Sequence, residues 1–139
     1  MSCNPSSIIR GRVVKAGHAE GEALVSPEPI GFLGGVDPDT GIVIEPGHPL
    51  EGECVAGSVL VFPTGKGSTV GSYTLYRLAR NGLAPAAIIN AEADPIVAVG
   101  AIIAEVPMVD HVDISRICTG DWVQVHDQKI VVQTSADED

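Results

Sequence analysis

Three short aliphatic runs in the middle of the chain restrict its fold more than any other feature. They are residues 58–62 (SVLVF), 85–90 (PAAIIN) and 107–110 (PMVD). Runs of this length that are apolar at nearly every position suit strands covered on both faces rather than one. Each gap between them carries helix start and stop signals. In the first gap Ser72 can cap a helix running to about Arg80, with Leu75, Leu78 and Ala79 on one face and Asn81-Gly82 as the stop. In the second, Asp94-Pro95 is an N-cap followed by proline at the first helical position, opening an apolar helix to about Ala104. Strand–helix–strand–helix–strand predicts right-handed parallel crossovers.

The flanks are strand-rich. Residues 8–14 and 20–26 read as two strands joined near Gly17, and residues 121–126 and 129–133 as a hairpin across Asp127-Gln128. Strands on both sides of the crossover unit disfavour a pure doubly wound sheet. The expected fold is α/β with a β/β/α arrangement, over residues 8–133. Residues 1–7 and the acidic stretch 134–139 have little to bury and are expected to be flexible.

A chain of 139 residues fits one domain. With two Phe, two Tyr and one Trp, its core must be built from Val, Ile, Leu and Ala. The net charge of −10, from 18 acidic against 8 basic residues that never cluster, argues against nucleic-acid binding. No apolar stretch reaches the ~20 residues of a membrane helix, and no signal peptide is evident. The expected location is cytoplasmic. Cys3, Cys54 and Cys118 are far apart without a CxxC pair, so neither a disulfide framework nor a self-contained iron–sulfur or zinc site is expected.

Residues 27–41, rich in Pro and Gly, are too long for a plain connector and are expected to be functional or mobile. A short strand is expected at 42–44. The strongest chemical signal is the loop after Phe62, Thr64-Gly65-Lys66-Gly67-Ser68-Thr69-Val70-Gly71. A strand ends, glycines strip away side chains and a helix begins, an arrangement that points backbone amides at an anion or developing oxyanion. Lys66, Gly67, Ser68 and Thr69 are the candidate site residues there. It is not a Walker A loop, because the glycine and serine spacing is wrong. A turn whose serines merely cap the helix is the plainer alternative. His18, His48, His111 and His126 sit at unrelated spacings and read as structural or surface residues. Gly34 and Gly35 are candidates for closing over a ligand. Asn90, Glu92 and Asp94 follow a strand and precede a helix, where α/β sheets hold ligands, although Asp94 reads first as a cap.

An ordered set of blocks carries a resemblance. Gly21-Glu22-Ala23-Leu24-Val25-Ser26, Gly34-Gly35-Val36-Asp37-Pro38, His48-Pro49-Leu50, Val61-Phe62-Pro63 with Ser68, Gly71-Ser72-Tyr73, residues 84–90, and Ile102-Ile103 with residues 107–110 resemble the small subunit of aconitase X-type enzymes. The resemblance covers about residues 8–133. It implies a swivelling β/β/α domain like that of aconitase, working as a heterodimer with a large subunit that carries the iron–sulfur cluster (4Fe–4S). Archaeal members dehydrate (R)-5-phosphomevalonate to trans-anhydromevalonate 5-phosphate in isoprenoid biosynthesis. By the same resemblance Ser68 matches the family's proton acceptor, and the cluster ligands belong to the partner, so no metal is expected on this chain. Lys66, Gly67 and Thr69 are the candidate substrate-binding residues beside it. Related swivel domains follow the serine with an arginine, where this chain has Thr69 and Val70. Two alternatives remain open here: a cis-3-hydroxy-L-proline dehydratase subunit, and a non-catalytic module that stabilises or gates a larger partner.

Overall fold

A computed structural model describes residues 6–133. Its order is β1 (Ser6–Arg10), β2 (Arg12–Lys15), β3 (His18–Val25), β4 (Val59–Phe62), α1 (Gly71–Arg80), β5 (Ala87–Asn90), α2 (Pro95–Ala104), β6 (Met108–Asp110), a 3-10 turn at Ile114–Arg116, β7 (Trp122–His126) and β8 (Lys129–Gln133). Both expected helices, the crossover unit and the C-terminal hairpin are present. β1 starts at Ser6, so Ser6 and Ser7 of the stretch expected to be flexible pair with β8. Residues 1–5 and 134–139 lie outside the described residues.

The eight strands form one sheet in the order β1-β8-β7-β3-β4-β5-β6-β2. β3 joins two halves. Its first part pairs antiparallel with β7, and its last three residues pair parallel with β4. β4, β5 and β6 continue in parallel, as the crossover pattern requires.

The single strand expected over residues 8–14 is instead two, interrupted at Gly11. β1 and β2 sit at opposite edges of the sheet although one residue separates them. The edges must therefore meet, and the sheet curls into a near-closed barrel with Gly11 at its seam. The Gly11 amide donates to the Gln128 carbonyl at 3.0 Å. A Cβ at Gly11 would lie 2.5 Å from the Asp110 carbonyl oxygen and 2.7 Å from Val109 and Val112 methyls, so no other residue fits without displacing backbone.

Alternation along the central strands separates two cores. Val59, Val61, Ala87, Ile89 and Val109 face the barrel interior with Ile9, Val123, Val125, Ile130 and Val132. Leu60, Phe62, Ile88 and Met108 face outward, beneath Leu75 and Leu78 of α1 and Val97 and Ala101 of α2. This is why β4, β5 and β6 are buried at every position. The segment between β3 and β4 completes the outer layer. It holds no regular strand: the one expected at 42–44 is replaced by isolated bridges, Val36 to Val43 and Ile42 to Cys54. It is nevertheless packed, with Ile30, Phe32, Val36, Val43, Leu50 and Val55 buried. His48, also buried, accepts the Leu50 amide at Nδ1 (3.0 Å) and donates from Nε2 to the Pro29 carbonyl (3.0 Å). The ring staples two turns together. No helix among the described residues is long and apolar enough to cross a membrane.

Candidate active-site loop

β4 is apolar throughout and stops at Pro63, which lacks the amide to continue a ladder. Two neighbours anchor that end. The Pro63 carbonyl accepts the amides of Ala91 and Glu92, at 3.1 and 3.0 Å. The Asn90 side-chain amide donates to the Phe62 carbonyl at 2.9 Å. The loop then pairs with the segment before it: the Ile30 amide donates to Thr64, and the Lys66 amide donates to Ile30. Gly67 turns the chain at φ +95°, and residues 68–70 lead into α1.

The start of α1 differs from the expectation. Val70, not Ser72, is the N-cap residue, and no side chain caps the helix. Ser72 lies inside the first turn, where its hydroxyl donates to the Thr69 carbonyl at 3.0 Å. The amides of Gly71 and Ser72 are closed by the Ser68 and Thr69 carbonyls in tight turns. The helix-start amides are thus used internally and do not converge on a ligand. The Val70 amide instead donates to Ser68 Oγ at 3.1 Å. In this loop the amides of Thr64, Gly65, Gly67, Ser68 and Thr69 donate to no group among the described residues, and those of 67–69 are consecutive and exposed. Consecutive free amides around a left-handed glycine form the concavity that binds anions. Ser68 and Thr69 are both exposed.

Of the candidate residues, the structure brings Gly35, Lys66, Gly67, Ser68 and Thr69 into one neighbourhood through Gly31. A Cβ on Gly31 would sit 2.9 Å from the Lys66 carbonyl oxygen, and one on Gly35 would sit 2.0 Å from the Gly31 carbonyl oxygen. Gly34 forms the turn next to them at φ +79°, with open space around it. Asn90 is not at the surface. It is fully buried under the loop, with its amide nitrogen bonded to the Phe62 and Ile89 carbonyls and its Oδ1 without a partner among the described residues. Its position suits holding the loop's base and offers no face to a ligand. The residue missed by sequence reasoning is Glu45, whose Oε2 lies 2.8 Å from Lys66 Nζ. The Lys66 charge is therefore already compensated. Nothing local signals this pair, because it depends on how the irregular segment packs.

A second polar group lies where β5 and β6 end. Asp110, fully buried, receives both Arg12 Nε at 2.9 Å and Nη2 at 2.8 Å, and the Ala93 amide at 2.9 Å. Burial pushes the Asp110 carboxyl up, but the hydrogen bonds from Arg12 and Ala93 and the Arg12 and His111 charges outweigh it and hold it below the usual carboxylate range. His111 Nε2 is 3.6 Å from Glu92 and 3.8 Å from Asp110. Glu92, Asp110 and His111 form the one close set of metal-type donors among the described residues. The set has no sulfur, and Asp110 is already committed to Arg12 and Ala93. Cys54 and Cys118 are free and exposed, and Cys3 lies outside the described residues. These donors do not fit an iron–sulfur cluster. Asp94 caps α2, its Oδ2 accepting the Ile96 and Val97 amides.

Residues 8–134 match the aconitase X swivel domain family. The chain belongs to that family. It is similar to the phosphomevalonate dehydratase small subunit of Methanosarcina acetivorans, 58% identical over 121 residues that cover 85% of this chain and 84% of the relative. The small subunit of the same name from Methanocella arvoryzae is 55% identical over 130 residues, covering 91% and 98%. The crystal structure of Thermococcus kodakaraensis aconitase X in its holo-form superposes with a TM-score of 0.89 at 51% identity, covering 91% of this chain and 98% of that one. The aconitase X family is related to iron–sulfur hydro-lyases, so the swivel domain seen here is one part of a dehydratase architecture.

Proposed function

We propose that this chain is the small subunit of a phosphomevalonate dehydratase, a hydro-lyase that works with a larger partner subunit and uses Ser68 as its base. The observation that carries the reading is the shared name of relatives that are 53–63% identical over most of both chains. It favours the phosphorylated substrate over hydroxyproline, and a dehydratase subunit over a module without chemistry. The product would be trans-anhydromevalonate 5-phosphate, formed in the mevalonate route to isoprenoids.

In the proposed reaction Ser68 Oγ, as the alkoxide, takes the proton from the carbon next to the substrate carboxylate. The freed electron pair forms the double bond to the adjacent carbon as its C–O bond breaks. The departing hydroxide takes a proton from solvent and leaves as water, and Ser68 returns its proton to solvent to restore the alkoxide. The Val70 amide at 3.1 Å is placed to stabilise the charged oxygen, and the α1 N-terminus behind it has the favourable dipole sign. The open amides of Gly67, Ser68 and Thr69 would receive a carboxylate or phosphate oxygen. With Lys66 held by Glu45, further positive charge comes from the partner. An iron–sulfur cluster on the partner, of 4Fe–4S type, would supply Lewis acidity toward the leaving hydroxyl.

The test is anaerobic co-expression with the cognate large subunit and a dehydration assay on (R)-5-phosphomevalonate. Turnover should require both chains and fall by about 10² or more in Ser68→Ala, the usual cost of losing a general base. A loss below tenfold removes Ser68 from the base role. Turnover of cis-3-hydroxy-L-proline in place of phosphomevalonate moves the substrate.

A further inference from the structure

α2 has no polar side chain from Pro95 to Ala104. A helix that is apolar all round belongs in an interior, yet Val99, Ile102 and Ile103 are each about half exposed. Leu33, Val70 and Tyr73, beside the Ser68 loop, are exposed to the same degree. α2 and the Leu33 segment adjoin at Gly71. A Cβ there would lie 3.5 Å from Ile96 Cγ2 and 3.5 Å from the Leu33 amide, and Gly100 of α2 lies directly against Ser72 and Leu75 of α1. Gly71 thus sets the first turn of α2, at Ile96, beside the Leu33 segment next to the Ser68 loop, and the exposed apolar residues of α2 lie further along the same helix.

From this geometry we infer that the outward face of α2, with Val99 and Ile103 at its centre, is a docking surface for the larger subunit. The inference rests on the proposed function. Ser68 is exposed and has only a backbone amide beside it, so the partner must close over this loop to complete the site, and the apolar strip is the surface next in line. The face carries no charge in a chain of net −10, so its counterface is apolar rather than basic. Removing such a strip from water drives subunit association, whereas a solvent-facing helix of this composition favours self-association.

The experiment measures the Kd between the two purified subunits by calorimetry, with turnover in parallel. Val99→Glu with Ile103→Glu should weaken binding at least tenfold while circular dichroism and Tm of the small subunit stay as in the wild type. Turnover should recover when the larger subunit is raised to saturation. Ile8→Glu, an exposed residue on β1, should leave Kd unchanged. Ser68→Ala should also keep wild-type Kd while losing turnover, which separates failure of the base assignment from failure of this one. Hydrogen exchange on the wild-type complex gives an independent readout, with slower exchange expected over residues 98–104. An unchanged Kd in the double variant overturns the inference, and so does unchanged exchange over that segment. Homodimers of the small subunit that the double variant breaks, with Kd for the larger subunit intact, would assign the face to a second copy and overturn it too.

Discussion

The two sides of the central sheet are built from the same kind of strand and serve opposite ends. On the barrel side, small β-branched residues such as Val59, Val61, Val123 and Val132 meet inside the near-closed barrel. On the other side, Leu60 and Phe62 are covered by two helices and an irregular segment that contributes Ile30, Phe32 and Val43. The barrel satisfies its backbone by strand pairing and leaves few choices of register. The outer layer relies on turns, single bridges and side-chain staples such as His48. Such segments can be reshaped without unpicking the sheet, and here they hold the Ser68 loop. Rigid scaffold and functional surface are thus divided between the two faces of the same three strands.

Several variants test that division, beginning with the barrel. Gly11→Val should abolish cooperative folding, because backbone and side chains already occupy the space a side chain would need. Dispersed NMR amide signals from this variant would refute the seam assignment. Gly35→Ala strikes the outer layer. Its Cβ would fall 2.0 Å from the Gly31 carbonyl oxygen, and overpacking of this kind costs about 1–3 kcal/mol. Denaturant melts should show that loss, and hydrogen exchange should show it opening the outer layer while barrel amides stay protected. Equal loss of protection on both sides would mean that the two cores are one cooperative unit.

Acid should act on a contact that ties the barrel to the loops. The folded-state pKa of Asp110 lies below its unfolded value, so its contribution is complete above about pH 4 and is lost as pH falls through the lowered folded value. Glu20, held low by Gln124 and Trp122, and Asp113, held low by Ser115, act in the same direction. Asp110→Asn should cost about 1–3 kcal/mol at neutral pH and flatten the acid limb of Tm against pH. An acid limb as steep as wild type would exclude Asp110 as its source. The smallest stability effect is expected at Ser68. Removing this exposed hydroxyl should change stability by less than about 0.5 kcal/mol, even though turnover is lost. A large drop in Tm would make Ser68 a structural cap rather than a reacting group.

Much of the fold was legible in sequence for identifiable reasons. The runs at 58–62, 85–90 and 107–110 are buried on both faces and therefore apolar at almost every position. Asp94-Pro95 and the Asp127-Gln128 turn signal themselves locally. The irregular segment was legible only as irregular, since its buried residues have no period and its pairings are single bridges. For the site, the glycine-rich loop marked itself, but two features did not. The Ser68 and Thr69 carbonyls close the first helical amides, and the run 67–69 is left open in their place. Glu45 reaches Lys66 across 21 residues.

The sequence by itself determined the strand and helix order, the parallel crossovers and the place of the serine-bearing loop, because periodicity and turn chemistry act over a few residues. Tertiary structure alone decided that residues 8–14 divide at Gly11 between opposite edges of the sheet. It alone joined Arg12 to Asp110, Lys66 to Glu45 and the first turn of α2 to the Leu33 segment beside the Ser68 loop. Each of these depends on barrel closure and layer packing between residues far apart in the chain, and no local pattern encodes a distance between them.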